Sequence, residues 1–200
     1  MERGAGKLGR NLTLDEGLRF ALQQIVAPPP PPDMQILDAL LIRRKLHRLA
    51  AEILEQHGER ARIYLIGINN NGYRTAEEIA ARMRADVAEF GLGAEVVLRR
   101  LRLSPASPLE PEPVYGGDPA ELAGAHVVIV DDVANTGRTA YFATKPLMGV
   151  VPASVEVCVL IDRLHKTFPV SSDYVGLTLS TGLQQDICVY YDEPWRAEIF

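Results

Sequence analysis

The stretch VVIVDDVANTGRT, residues 127–139, places four apolar residues directly before two adjacent carboxylates, Asp131 and Asp132. The continuous apolar run predicts a buried strand of a parallel sheet, with the two aspartates where that strand ends. In such sheets, ligands bind beyond the carboxyl ends of the strands. Two like charges are costly there without a partner, so we expect a divalent cation, vicinal sugar hydroxyls or both. A strand ending in an acidic capping turn is the alternative, but it accounts for only one carboxylate.

The residues after the aspartates predict an anion site. Thr136–Thr139 offer successive backbone N–H groups, two hydroxyls and a guanidinium at the expected start of a helix. Helix N-termini carry unsatisfied donors and a positive dipole, and Gly137 lets a phosphate approach the backbone closely. Carboxylates that suit ribose hydroxyls, next to donors that suit a phosphate, predict a sugar phosphate ligand.

The rest of the chain alternates between helical and strand patterns. An apolar stripe at helical spacing begins near Asp38 and stops at Gly58; RIYLIGI (62–68) then predicts a strand that leads through NNNG (69–72) into a second helix. AEVVLRRLRL (94–103) and SVEVCVLI (154–161) predict further strands. This order predicts an α/β fold with a mostly parallel central sheet flanked by helices.

Three segments fall outside that alternation. Residues 1–33 are expected to be an N-terminal extension, because five consecutive prolines (28–32) favour a stiff polyproline spacer before the main domain at 34–200. Residues 104–119 are rich in Pro and Gly and predict a long mobile loop over a ligand site. The tail from about residue 172 predicts short strands in a small subdomain beside the sheet.

Composition narrows the class of protein. The chain has 200 residues, and 47% of them are apolar, which is enough for a substantial core. Its net charge of −5 argues against a protein dominated by nucleic-acid binding. We expect a cytoplasmic protein, because no apolar run reaches the ~18 residues of a membrane span and the start lacks a signal-peptide pattern. Cys158 and Cys188 lie in apolar stretches, which favours buried thiols over a disulfide or metal site.

At this point a resemblance becomes visible. VVIVDDVANTGRT resembles the phosphoribosyl pyrophosphate (PRPP) signature of the type I phosphoribosyltransferases. QILDALLIRRKLHRLAAEILE, IGINNNGYRTAEEIAARM and VLIDRLHKTFPVSSDYVG are similar, in the same order, to the bacterial pyrimidine operon regulator and uracil phosphoribosyltransferase family, PyrR. The resemblance covers Met34 to Val189. Members of that family tend to begin near the equivalent of Met34, which makes this residue an alternative start of the chain.

The resemblance implies a reaction and a site. Uracil would displace pyrophosphate from PRPP to give uridine monophosphate (UMP), and the central sheet would carry a small C-terminal hood. Asp131 and Asp132 would hold the ribose hydroxyls and contact Mg²⁺ indirectly through substrate and water. Arg100, from the base of the mobile loop, would be a further catalytic residue. The implied substrate-binding residues are Ala134, Asn135, Thr136, Gly137, Arg138 and Thr139 for the 5′-phosphate, Asn69, Asn70, Asn71 and Gly72 for pyrophosphate, and Asp173, Tyr174 and Val175 for the base.

Two positions depart from the family pattern. The pyrophosphate loop typically contains a lysine and an arginine, whereas residues 69–71 are three asparagines, so catalysis is expected to be weaker unless other cations compensate. The alternative for NNNG is a simple turn between strand and helix. Arg99, Arg100 and Arg102 either supply the missing charge or form a solvated strand face. Purine enzymes often have an aspartate where this chain has Asn135, and an amide cannot exchange a proton at neutral pH, which favours uracil.

The sequence leaves other functions open. A catalytically weak regulator that senses PRPP or nucleotide would bind messenger RNA through a basic face built around IRRKLHR (42–48), although that helix face is also typical of ordinary solvated surfaces. A hypoxanthine/guanine phosphoribosyltransferase is the third hypothesis. We expect a homodimer or a higher homo-oligomer, and no membrane partner.

Overall fold

A computed structural model describes residues 34–59, 61–182 and 184–200. Within these residues the chain forms nine strands and three α-helices. The strands are β1 (Met34–Asp38), β2 (Arg62–Ile68), β3 (Glu95–Arg102), β4 (Val114–Tyr115), β5 (His126–Ala134), β6 (Ser154–Arg163), β7 (Tyr174–Leu179), β8 (Ile187–Tyr190) and β9 (Arg196–Ile199). The helices are α1 (Ala39–His57), α2 (Asn71–Phe90) and α3 (Arg138–Ala143). The predicted N-terminal extension lies outside the described residues.

The central sheet has six strands in the order β4-β3-β2-β5-β6-β7. All neighbouring pairs from β3 to β7 are parallel, and only β4 runs antiparallel, against β3. A second, antiparallel sheet has the order β1-β9-β8. The predicted α/β fold with a mostly parallel sheet and a small C-terminal subdomain is thus confirmed.

Local sequence sets the ends of both long helices. Asp38 caps α1, since its Oδ1 accepts a hydrogen bond from the Leu41 N–H at 2.7 Å, and the helix ends at Gly58 as predicted. The predicted stripe on α1 is buried throughout; it consists of Ile42, Leu46, Leu49 and Ile53. Helix α2 ends at Gly91, whose φ of 64° is in the left-handed region that glycine adopts without strain.

The sheet is covered on both faces, which explains the continuous apolar runs of its central strands. Leu65 and Val128 pack on one face with α1, α2 and the small sheet. Ile66 and Ile129, the next residues along the same two strands, pack on the other face against Leu122 and neighbouring apolar residues. The core thus fixes the register of β2 and β5, and with it the positions at which their carboxyl ends emerge.

Three details differ from the sequence expectations. Strand β5 continues through both aspartates to Ala134, because β6 accompanies it as far as the pair Ala134–Asp162. The 104–119 loop contains β4, which pairs with the end of β3. The tail is divided, since β7 extends the central sheet beside β6 and β1 joins β9 and β8 in the small sheet. These pairings join residues far apart in sequence, so local patterns do not reveal them.

None of the helices in the described part of the chain is long and apolar enough to cross a membrane.

Candidate active site

A crevice of about 890 Å³ opens at the carboxyl end of the central sheet. It lies between the ends of β2 and β5, the first turn of α2, and the β8 side of the small sheet. A smaller cavity of about 270 Å³ adjoins it and is lined by Val133–Ala140. Asp131, Val133, Asn135, Thr139 and Pro105 line both spaces. The crevice is where the topology of an open parallel sheet leads one to expect a ligand.

Asp131 and Asp132 lie where β5 loses one neighbour. Pairing with β2 stops at Val130, because the chain leaves β2 and turns into α2, while pairing with β6 continues. Asp131 Oδ1 accepts a hydrogen bond from the Asp132 N–H at 3.0 Å, and Asp132 Oδ2 accepts one from Asn71 Nδ2 at 2.9 Å. Burial, together with the neighbouring charge of Asp132, raises the pKa of the Asp131 carboxyl well above its ordinary value. A bound cation or hydroxyl donors would relieve that unfavourable charge.

Gly72 brings the first turn of α2 directly against Asp131. A Cβ at this position would lie 2.6 Å from the Val130 carbonyl oxygen and 3.0 Å from Asp131 Oδ1. Only a glycine allows the backbone to approach this closely. The predicted pyrophosphate loop and the aspartate pair therefore lie in direct contact across the crevice.

The segment after the aspartates forms the predicted turn. Gly137 has a φ of 80°, and helix α3 starts at the next residue. The Arg138 N–H donates to Thr136 Oγ1 at 3.3 Å, and the Arg138 guanidinium donates to the Ala106 carbonyl at 3.2 Å. Pro105 and Ala106, from the long loop, thus lie beside the turn. The segment Ala134–Thr139 lines the smaller cavity, where its backbone and hydroxyl groups can meet an anion.

The three asparagines have different roles in the structure. Asn69 has a φ of 53°, and its Oδ1 accepts a hydrogen bond from the Leu103 N–H at 3.1 Å, so it joins the ends of β2 and β3. Asn71 donates to Asp132 and, at 3.1 Å, to the Val189 carbonyl. Asn70 is exposed and makes no side-chain capping bond to α2. Two of the three amides therefore hold the crevice together, which goes beyond the alternative of a simple turn.

Arg100, the residue predicted to be catalytic, does not line the crevice. Its guanidinium stacks over the Tyr73 ring at 3.9 Å from the ring centroid. Arg99 is also occupied, since it forms two hydrogen bonds of 2.8 and 2.7 Å to Glu121. Arg102 lines a separate cavity of about 740 Å³ together with Asn69 and Asn70. The side chains alternate along β3, which directs neighbouring arginines to different surroundings.

Arg74 is a cation at the crevice that the sequence analysis missed. It lies in the first turn of α2 and lines the crevice, where its only side-chain bond within the described residues joins it to Glu77 at 2.6 Å. Both partners of that ion pair are about half exposed, so the pair is weak and can exchange for an anionic ligand. Its position two residues after Gly72 was the available signal.

The predicted base-reading segment lies elsewhere. Asp173 accepts a hydrogen bond from the Val157 N–H at 2.8 Å, and the Tyr174 hydroxyl donates to Glu156 at 2.7 Å. The Arg48 guanidinium donates a hydrogen bond to the Val175 carbonyl at 2.7 Å. Asp173 directly precedes β7, Tyr174 and Val175 are its first two residues, and none of the three lines the crevice. Residues Ile187–Asp192 line the crevice from the small sheet.

The small sheet is fixed over the crevice by contacts with α2. The Tyr191 hydroxyl and the Thr75 hydroxyl share a hydrogen bond of 2.5 Å, and the Thr75 hydroxyl also bonds the Asn71 carbonyl at 2.9 Å. Trp195, buried behind Tyr191, packs edge-on against it with ring centroids 5.3 Å apart. The wall that faces the aspartates is therefore a packed part of the fold.

Two further basic residues, both missed in the sequence, lie at the end of β6. Arg163 is 5% exposed; it donates to Asn135 Oδ1 at 2.9 Å and to Thr181 Oγ1 at 2.8 Å. Lys166 forms an ion pair with Asp162 and lies 3.3 Å from the Asn135 carbonyl. They connect the turn at 134–139 to the segment that leads into β8. The fragment VLIDRLHK contained both, but its strand pattern gave no sign that β6 ends beside the turn.

Comparisons with known proteins agree with this geometry. The model of the phosphoribosyl transferase domain matches residues 34–192. The bifunctional protein PyrR of Bacillus subtilis is 32% identical over 166 residues, which cover 79% of this chain and 90% of that protein. The bifunctional protein PyrR of Geobacter sulfurreducens is 36% identical over 165 residues, covering 80% and 92%. A hypoxanthine-guanine phosphoribosyltransferase structure from Bacillus anthracis matches with a TM-score of 0.65 at 16% identity, covering 84% of this chain and 98% of that one, which bears on the fold alone.

Proposed function

Because the chain belongs to the phosphoribosyltransferase family, as its motifs predicted, we propose that it transfers the phosphoribosyl group of PRPP to uracil, giving UMP and pyrophosphate. One observation carries the proposal: the Asp131–Asp132 pair lies at the mouth of the crevice, between the turn at 134–139 and the loop at 69–72. Paired carboxylates between two anion-binding segments suit a ribose that carries a phosphate at each end.

The arrangement suggests how PRPP would lie. Its 5′-phosphate occupies the smaller cavity at Ala134–Thr139, its ribose hydroxyls donate to Asp131 and Asp132, and its pyrophosphate faces Asn69–Gly72 and Arg74. As the bond from C1 to pyrophosphate lengthens, positive charge develops on the ribose ring. The two carboxylates are already in place to stabilise it, without reorganisation during the reaction. Most of the protein's task is thus positioning and electrostatic stabilisation.

The carboxylate pair also fits Mg²⁺. Asp131 and Asp132 offer hard oxygen ligands, and their like charges repel each other without a cation. Mg²⁺ commonly binds through one or two carboxylates, waters and substrate phosphates. In this site the two aspartates would hold the ion indirectly, through substrate and water. When bound, the ion would neutralise charge on the departing pyrophosphate.

The surroundings of Asn135 support a pyrimidine. Its amide oxygen accepts a hydrogen bond from the buried Arg163, so this residue presents a fixed amide at the turn and no titratable group. A purine mechanism with proton exchange at this position has no acid or base to use. The motifs of this chain resemble the PyrR family, to which we assigned uracil as the base, and the relatives named bifunctional protein PyrR agree with that resemblance.

Pyrophosphate release by the purified protein tests the proposal. The assay contains Mg²⁺ and PRPP, and it compares uracil, hypoxanthine, guanine and no added base. Release that depends on uracil, and is lost in an Asp131→Asn/Asp132→Asn variant with an unchanged circular dichroism spectrum, supports the assignment. Release with a purine alone would overturn the choice of base, and full activity of the double variant would overturn the site.

A second candidate is a nucleotide-responsive regulator with little catalysis. The observation in its favour is that residues 69–71 supply amides where the family pattern has cations. Three contacts argue against a strongly basic RNA-binding surface. Arg43 pairs with Glu193, while Lys45 and Arg48 donate to the Gly176 and Val175 carbonyls. Salt-dependent RNA binding that strengthens with UMP, together with no pyrophosphate release, would favour this function. Absence of RNA binding at low salt would exclude it.

The predicted homo-oligomer remains part of the proposal. Light scattering of the purified chain gives its mass directly, and a monomer at assay concentrations would remove it.

A further inference from the structure

A cluster of two histidines and one glutamate lies away from the crevice. His57 is the last residue of α1, His126 is the first residue of β5, and Glu156 is the third residue of β6. His126 pairs with Ile63 near the start of β2 and with Ser154, the first residue of β6, which places the cluster at the amino end of the parallel sheet. Because the crevice lies at the carboxyl end, the transferase site does not use this cluster.

The three side chains converge as metal ligands do. One ligand atom of each, an imidazole nitrogen of His57, an imidazole nitrogen of His126 and a carboxylate oxygen of Glu156, lies within 4.8 Å of the other two. The His57 and His126 rings stack with centroids 4.1 Å apart, and His57 Nε2 lies 2.9 Å from Glu156 Oε2. Two imidazoles and one carboxylate form a donor set that zinc accepts, with a fourth position left for water.

Neighbouring groups hold the ligands in orientation. His126 Nδ1 makes a hydrogen bond of 2.9 Å with Ser154 Oγ, which leaves the other ring nitrogen available. The Tyr174 hydroxyl donates to Glu156 Oε2 at 2.7 Å. Such contacts fix the tautomer of a ligating histidine and the position of a ligating carboxylate, and they are typical of metal sites.

The cluster is partly buried and accessible to a small ion, since His57 is buried and His126 and Glu156 are of intermediate exposure. The side chains of His57 and Glu156 are 6% and 17% exposed, so these two polar groups lie where apolar side chains would cost less free energy to bury. A cavity of about 550 Å³ reaches His57 and His126 from the surface, and Glu55 and Glu59 line it. Arg62 lines it as well, and these three charged residues together leave a net negative charge, which favours the entry of a cation.

We propose that His57, His126 and Glu156 bind one Zn²⁺ ion, which joins the end of α1 to strands β5 and β6 at the amino end of the parallel strands, opposite the crevice. Because the three protein ligands come from three elements, the bound ion would tie these elements together, at a site remote from Asp131 and Asp132. Binding to the folded chain alone raises its stability. In the competing explanation, His57 and Tyr174 satisfy Glu156 through hydrogen bonds and the cluster needs no metal.

Zinc titration of the full-length protein, freed of metal and monitored by a competing chromogenic chelator, tests the proposal. We expect one equivalent to bind with micromolar or tighter affinity, and the melting temperature to rise with added zinc. His126→Gln and Glu156→Gln should each weaken binding at least tenfold, since each removes one of three protein ligands. Glu156→Gln can still bond to Tyr174, which makes a folding failure less of a concern.

Two matched variants separate this site from other zinc ligands. His47→Gln changes an exposed histidine on the same helix as His57 and should leave zinc affinity unchanged. Asp131→Asn/Asp132→Asn removes the crevice carboxylates and should also leave it unchanged, so the outcome is independent of the proposed transferase function. No zinc binding tighter than millimolar, or equal binding by the wild-type chain and both cluster variants, would overturn the proposal.

Discussion

Gly72→Ala probes the closest backbone contact in the candidate active site. The added Cβ would lie 2.6 Å from the Val130 carbonyl oxygen, 3.0 Å from Asp131 Oδ1 and 3.1 Å from Asp131 Cα. Two of these three atoms belong to the backbone of β5, which β6 holds in place, so no flexible side chain can relieve the main overlap. Reaching even 3.0 Å from the carbonyl oxygen requires the first turn of α2 to move by 3.0 − 2.6 = 0.4 Å.

Two opposing effects determine the loss of stability. Alanine in a helix is favoured over glycine by up to about 1 kcal/mol. Overpacking of a rigid contact costs about 1–3 kcal/mol, so a net loss of up to about 2 kcal/mol in the free energy of unfolding is expected after the full gain from alanine. The effect on activity arises separately. A misplacement of about 1 Å near reacting groups can cost about 100-fold, and a shift of 0.4 Å therefore predicts a loss in kcat/KM of roughly fivefold.

Urea unfolding and steady-state kinetics measure the two effects on the same protein. Gly149→Ala is the matched control, because an added Cβ there meets no atom within 4 Å, and both stability and kcat/KM should stay near the wild-type values. If Gly72→Ala unfolds at the wild-type urea concentration with wild-type kcat/KM, the close approach of α2 to Asp131 does not determine the site. Destabilisation with unchanged kinetics would refute only the link between this contact and catalysis.

Four further substitutions test other parts of the site. Asn70→Arg should raise pyrophosphate affinity by tenfold or more, since Asn70 is exposed at the crevice and a charged contact is worth about 1.5–3 kcal/mol, and Arg74→Gln should lower it; calorimetry that finds neither change would show that charge at this loop is unimportant. Arg163→Met should lower the free energy of unfolding by about 1–3 kcal/mol, because Asn135 loses a hydrogen-bond donor, and denaturant midpoints within error of wild type would contradict this. Asp131→Asn should abolish PRPP binding yet stabilise the fold at neutral pH, since the folded chain raises the pKa of this carboxyl above the ordinary 3.8. The ionised form is the one that the fold disfavours, so this gain should be full above the raised pKa and disappear as pH falls to 3.8; an equal gain at all pH values would exclude the charge as its cause.

Much of the fold was predictable, because local patterns carried it. The stripe from Ile42 to Ile53 predicted α1, and Gly58 predicted its end. The apolar runs of β2, β5 and β6 predicted strands buried on both faces, and their alternation with helices predicted the parallel sheet. In each case, the signal lay within about 20 residues of sequence.

The site was predictable only where it is contiguous in the chain. Asp131, Asp132 and the turn at 134–139 are one segment, and the structure brings the loop at 69–72 beside them as expected. Asp173–Val175 were assigned to the base because the motif looked familiar, yet their register beside β6 keeps them in the central sheet. Arg100 was assigned from its place near a loop, and the alternation along β3 instead directs it to Tyr73.

The sequence by itself determined the α/β class and the strand that carries the aspartate pair, because spacing along one segment is retained when it folds. The tertiary structure decided which distant residues complete the crevice. Arg74, Arg163 and the wall at 187–192 become neighbours of the aspartates only through the packing of α2, the end of β6 and the small sheet. The same holds at the amino end of the parallel strands. His57, His126 and Glu156 are separated by 69 and 30 positions, and they meet only because β5 and β6 are paired and α1 ends beside them.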